Sequence, residues 1–158
     1  MQGGVDIVYA NAGVNAAAPL LAATPEEFDF IYAVNTKAMW FTCREFANKM
    51  IAGGRRGHLC MTGSEHSIGM QNTGAGLYTG SKHAILGIAD VMRHELPSEI
   101  KLSILCPGIV NTKIYDPKRH SDLPKDPDKL IDFSKAMIGK GIKPREVGKM
   151  AVDGIARG

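Results

Sequence analysis

The chain has 158 residues, 44 % hydrophobic and 22 % charged, the balance of an ordinary globular domain able to bury one core. Its formal charge of +3 comes from 19 basic and 16 acidic residues. They are scattered, and the densest basic spots, Arg55-Arg56 and Lys118-Arg119, fall short of the stripe that phosphate-backbone binding needs, so no nucleic-acid partner is expected. No apolar run approaches the ~20 residues of a membrane span, so no membrane association is expected, and the immediate entry into an apolar strand leaves no room for a signal peptide. Cys43, Cys60 and Cys106 are far apart, odd in number and without a CxxC pair, which suits buried free thiols in the cytoplasm.

In chain order, residues 5–9 form an apolar run that reads as a buried strand and ends in the small residues Ala10-Asn11-Ala12-Gly13. A helix follows with clear start signals: Thr24 to cap, Pro25 for the first position and Glu27 to complete a capping box. Phe28, Ile31, Tyr32, Asn35, Met39, Cys43, Phe46 and Met50 recur at intervals of one, three or four and are expected to share one face, with Asn35 the one polar member. A second strand, residues 59–61 entered from Gly57-His58, leads into the turn Met61-Thr62-Gly63-Ser64-Glu65-His66-Ser67-Ile68-Gly69. A second helix is expected from about Tyr78 to Leu96, stopped by Pro97, with Tyr78, Lys82, Ile85, Ala89, Met92 and Leu96 on one stripe. A third strand covers residues 102–106. Beyond Thr112 the chain turns polar and proline-rich, an exposed loop, before an amphipathic helix starting near Pro144. Strands alternating with longer helices predict βαβ units, a parallel α/β sheet and right-handed crossovers.

Tyr78 and Lys82, four apart on a helix, share a face. A tyrosine pKa of about 10 is too high for ready proton exchange at neutral pH, and a nearby ammonium favours the phenolate. Ser64 lies at the carboxyl end of a strand, where open α/β sheets bind ligands, and its hydroxyl could bond a substrate oxygen as charge develops there. Neither Ser64 nor Ser67 has the glycine flanks of a hydrolase elbow. Asn35, an amide on an inward face, costs a few kcal/mol unless hydrogen-bonded, so it must either bond neighbouring backbone or hold a water. The five histidines show no zinc-ligand spacing, and no metal is expected.

Five segments together resemble the short-chain dehydrogenase/reductase family in its single-domain branch: residues 6–13 (DIVYANAG), Val34-Asn35-Thr36, the Ser64 turn, Tyr78-Thr79-Gly80-Ser81-Lys82 and residues 107–112 (PGIVNT), in the family's order. The resemblance implies a partial Rossmann-like, doubly wound parallel sheet holding about strands four to six, in a single incomplete domain spanning 1–158. It implies an NAD- or NADP-dependent interconversion of a small alcohol and a carbonyl. Tyr78 would exchange the proton, Lys82 would lower the tyrosine pKa and bond the nicotinamide ribose, Ser64 would steady the substrate oxygen, and Asn35 would hold a water linking Lys82 to solvent. Asn11 and Gly13 would flank the adenosine side of the dinucleotide, and Pro107, Gly108, Val110 and Thr112 the nicotinamide. Residues of about 113–140 would be the substrate lid, and helices 25–50 and 78–96 would pair subunits in a homo-oligomer. Departures are Ala10 where the family usually has asparagine, and a serine spacing of 14 (Ser64) or 11 (Ser67) to Tyr78 where the family has 13. The family's N-terminal glycine-rich turn is absent from these residues, since Gly3-Gly4 leads into a strand. Two alternatives are a catalytically inactive remnant serving as an interaction module and an extended-branch sugar-nucleotide epimerase, the latter disfavoured by the short distance from Tyr78 to the chain end.

Overall fold

The computed structural model describes residues 4–15, 18–69, 74–115 and 140–157. Three strands, β1 (Ile7–Ala10), β2 (Gly57–Thr62) and β3 (Ile100–Leu105), pair in parallel in the order β1-β2-β3. This is the α/β parallel sheet that the alternation of elements implies. Register sets the strand ends better than apolar runs do. Gly57 to Thr62 pair residue for residue with Ile100 to Leu105, so β2 and β3 begin earlier than their apolar stretches and Cys106 falls outside. The expected first strand, 5–9, moves the other way, to Ile7–Ala10, where the partner residues are His58 to Met61.

The first helix is capped as its residues dictate. Thr24 Oγ1 accepts from the Glu27 amide at 3.2 Å, and the Thr24 amide donates to Glu27 Oε2 at 2.8 Å. Helix α1 (Pro25–Tyr32) then runs through a π-helical stretch (Ala33–Ala38) into α2 (Met39–Ala52). Helix α3 spans Gly76–Glu95 and α4 spans Pro144–Arg157. Met39, Cys43, Ala47 and Met50 of α2 pack with Ile85 and Ala89 of α3 against Val8, Leu59, Met61 and Leu102 of the sheet. Phe28 departs from the single face expected of the first helix: it is exposed and stacks on Tyr32, ring centroids 4.2 Å apart. The buried stripe runs instead through Ile31, Asn35, Met39, Cys43, Ala47 and Met50, from α1 across the π stretch into α2.

On β1 the alternation is clean: Val8 and Ala10 are buried, while Ile7 and Tyr9 point away from the core and are exposed. Helix α4 packs against β2 and β3, with Val147 and Ala151 inward. All three cysteines are free; Cys43 and Cys60 are buried and Cys106 half-buried. Burial pushes the Cys43 thiol up to about 12 and raises Cys60 as well, which leaves both as inert apolar fillers at neutral pH. Among the described residues no helix is long and apolar enough to cross a membrane. The expected lid, 113–140, lies almost wholly outside the described residues; its first turn, Lys113–Tyr115, is a short 3₁₀ segment.

Candidate active site

Because the three strands are parallel, their carboxyl ends open on one edge of the sheet, and the segments leaving them line a cavity of about 420 Å³. Asn11 and Gly13 come from the end of β1, Ser64 from beyond β2, and Tyr78 and Lys82 from the first turns of α3. Pro107, Gly108, Val110 and Thr112 come from the segment after β3. Nine of the ten residues singled out from the sequence therefore share one space, and Asn35, fully buried, stands behind it.

Lys82 is 2 % exposed, so its ammonium is cut off from water and must find protein partners. Its Nζ donates to the backbone carbonyl of Thr62, the last residue of β2, at 2.9 Å, and lies 5.7 Å from the centroid of the Tyr78 ring. Burial pulls the Lys82 pKa down to about 8, with a smaller opposing push from the Cys106 thiol. The group is thus still mainly cationic at pH 7 but far less so than a surface lysine. Thr62 is tied on its other side too, its Oγ1 donating to Asn11 Oδ1 at 3.0 Å. At Gly13, a Cβ would lie 3.4 Å from Asn35 Oδ1 and 3.6 Å from Lys82 Nζ. Its lack of one keeps the strand end open beside the lysine.

Asn35 does bond neighbouring backbone. Its Oδ1 accepts from the Val14 amide at 2.8 Å, and its Nδ2 donates to the Val14 carbonyl at 2.9 Å and to Ser81 Oγ at 3.0 Å. Ser81 Oγ in turn donates to the Tyr78 carbonyl at 2.7 Å. Both carboxamide hydrogens are used on protein partners, and the side chain ties the β1 loop to the start of α3. Ser81, which the sequence reading passed over, is the relay. Its signal was a small hydroxyl on the inward side of α3, adjacent to Lys82.

The two candidate serines separate in space. The Ser64 side chain lines the cavity and accepts from the His66 amide at 3.2 Å, which leaves its own hydrogen available. Ser67 is 1 % exposed, accepts from the Ser64 amide at 3.1 Å and is not part of the lining. Glycine at 63 is required by this tight turn, since a Cβ there would meet Cys106 Sγ at 2.9 Å and Ser67 Oγ at 3.0 Å. The sequence reading weighed His66 only as a metal ligand. It is buried in the cavity wall, its Nδ1 is 2.8 Å from Thr79 Oγ1, and its ring meets that of Tyr78 edge to face.

The family model for short chain dehydrogenases matches residues 1–123. Oxidoreductase UcpA of Escherichia coli strain K12 is 28 % identical over 153 residues, covering 95 % of this chain and 58 % of that protein; the chain thus spans little more than half of that relative. A short-chain dehydrogenase/reductase of Burkholderia phymatum, solved in complex with NAD, matches with a TM-score of 0.88 at 24 % identity, over 98 % of this chain and 59 % of its own. An alcohol dehydrogenase of the archaeon Thermococcus sibiricus, solved with 5-hydroxy-NADP, matches with a TM-score of 0.72 at 26 % identity, over 94 % of this chain and 56 % of its own.

The burial of Lys82 has a direct readout. Its side chain, followed by NMR through a pH titration, is expected to change charge near pH 8; a midpoint at 10 or above would show the ammonium to be solvated rather than enclosed.

Proposed function

This chain belongs to the short-chain dehydrogenase family, and from that premise we propose that it carries the catalytic half of an NAD(P)-dependent oxidoreductase that interconverts a small alcohol and a carbonyl. One observation carries the proposal: Ser64, Tyr78 and Lys82 line a single cavity at the carboxyl edge of the sheet, beside the small-residue ends of β1 and β3. The complexes of two structural relatives with NAD and 5-hydroxy-NADP support a nicotinamide dinucleotide without choosing between the two forms.

NAD(P) would supply or accept the hydride when bound. Asn11 and Gly13 would flank its adenosine side, Lys82 would bond the nicotinamide ribose, and Pro107, Gly108, Val110 and Thr112 would border the nicotinamide. Tyr78 gives its phenolic proton to a carbonyl oxygen, or takes one from an alcohol. Lys82 makes that exchange easier at neutral pH, because a cation near the ring stabilises the phenolate. Ser64 donates its remaining hydrogen to the substrate oxygen, where charge develops during reaction. Asn35 acts through Ser81 and Val14 and is a positioning residue. A seat for the pyrophosphate, the glycine-rich strand–turn–helix of such folds, does not occur within these residues.

In the full-length enzyme carrying these residues, Tyr78→Phe is expected to lower kcat by about 10²–10⁴-fold, the usual worth of general acid–base catalysis, with the fold intact by circular dichroism. Near-full kcat in that variant would reject the assignment. Ser64→Ala should cost more kcat than Ser67→Ala; the reverse order would move the oxygen-binding role to Ser67.

The 158 residues alone are proposed to be inactive, in keeping with the share of UcpA that they span. Binding energy from remote parts of a ligand helps to position its reacting centre, so losing the pyrophosphate contacts weakens both affinity and rate. Calorimetry of residues 1–158 with NADH and NADPH should show binding weaker than micromolar; micromolar affinity or Tyr78-dependent turnover would contradict this. A homo-oligomer through α2 and α3 is proposed on the exposed Trp40, Phe41 and Val91, and a monodisperse monomer of the full-length enzyme in light scattering would exclude it.

A further inference from the structure

The cavity that holds Ser64 and Tyr78 also contains Glu65 and His66, to which the mechanism above assigns no task. His66 lies two residues beyond Ser64 on the short 3₁₀ turn after β2 and is 8 % exposed. Its ring is held on two sides. Nδ1 is 2.8 Å from Thr79 Oγ1, and the ring stands against that of Tyr78 with centroids 5.3 Å apart and planes at 80°. Thr79 follows Tyr78 directly on α3, so the imidazole is registered to the proton-exchanging residue itself.

The other ring nitrogen, Nε2, has no hydrogen-bond partner among the described residues. Buried polar atoms are nearly always paired, and on a ring that walls a cavity an open nitrogen is a natural contact for a ligand. Burial lowers the His66 pKa and outweighs the upward pull of the Glu65 carboxylate, so the ring is neutral near pH 7. Nε2 then either donates or accepts, according to how Thr79 turns its hydroxyl. A ligand hydroxyl satisfies both cases, because it too can donate or accept; a hydrocarbon satisfies neither. A carboxylate satisfies only one, and it would share the cavity with Glu65. Among the described lining residues the one cation to balance it is Lys82, which already donates to the Thr62 carbonyl.

We infer that His66 is a specificity-determining residue that hydrogen-bonds a hydroxyl on the carbon next to the reacting one, so that the substrate is a vicinal diol or, in reverse, an α-hydroxy ketone. This rests on the oxidoreductase function proposed above. In the oxidative direction the oxidised nicotinamide dinucleotide would accept the hydride of the carbinol carbon, and Tyr78, as phenolate, takes the proton of the same hydroxyl. A ketone remains, and the neighbouring hydroxyl on His66 is untouched.

The test uses two alcohols with one carbon skeleton, propane-1,2-diol and propan-2-ol, oxidised at the same position by the full-length enzyme. The ratio of kcat/KM for diol over mono-alcohol is insensitive to how much of a variant folds. Wild type should favour the diol by about two- to tenfold, the order of one neutral hydrogen bond. His66→Leu should bring the ratio close to one, and His66→Gln, whose amide nitrogen reaches toward the Nε2 position, should restore most of it. Equal rates for the two alcohols in wild type, or an unchanged ratio in the leucine variant, overturns the inference and leaves the oxidoreductase function standing. Absence of Tyr78-dependent turnover of either alcohol, with other alcohols inert as well, overturns both.

Discussion

Much of the site depends on one carboxamide. Asn35 has no exposed surface, and an amide so placed is tolerated only when its donors and acceptor are paired. Its partners are the amide and carbonyl of Val14, just past β1, and the hydroxyl of Ser81 in α3. Thr36, next in the π stretch, adds a bond from its Oγ1 to the Ser81 carbonyl at 3.1 Å. Three segments distant in sequence are thereby fixed against one another: the loop leaving the first strand, the π-helical stretch, and the turn of α3 that bears Tyr78 and Lys82. The π stretch sits where Asn35 does, as such stretches often sit at functional sites.

From that joint the electrostatics follow. With α3 docked, Lys82 has nowhere to place its ammonium but against the end of β2, where the Thr62 carbonyl receives it. The enclosure that lowers its pKa also keeps its charge undiluted by water near the Tyr78 ring. The Ser64 turn is built from the same strand end: Gly63 and Glu65 bond back to the Leu105 and Pro107 carbonyls at 2.7 and 2.9 Å. Ser64 and the lysine therefore approach the cavity from a common base, and the register of β2 with β3 sets where both stand.

Features carried by short-range chemistry were legible in the residues. The Thr24–Glu27 capping box, the shared face of Tyr78 and Lys82, and the small-residue strand ends all depend on neighbours a few positions apart, and the family match and the α/β sheet follow from the order of those segments. The π stretch was not legible, because nothing in Ala33–Ala38 distinguishes it from ordinary helix; the bonds of Asn35 across the fold accompany it. Phe28 was misplaced because periodicity does not show that its ring leaves the buried face to stack on Tyr32. Ser81 and His66 were missed because their partners, Asn35 and Thr79, are 46 and 13 residues away in sequence, beyond the reach of periodicity. Spacing favours Ser64 over Ser67 by a single residue; both are buried in the fold, and what spacing could not show is that Ser64 lines the cavity while Ser67 does not.

The most direct test of the joint is amide hydrogen exchange at Val14, in wild type and in Asn35→Ala. Val14 lies in a loop, where amides ordinarily exchange fast, yet its hydrogen is held by Asn35 Oδ1 at 2.8 Å. If the carboxamide is the joint, Val14 is protected in wild type and exchanges like an open loop amide in the variant, while Leu59 at the centre of the sheet stays protected in both. Equal protection of Val14 with and without the Asn35 side chain would contradict it.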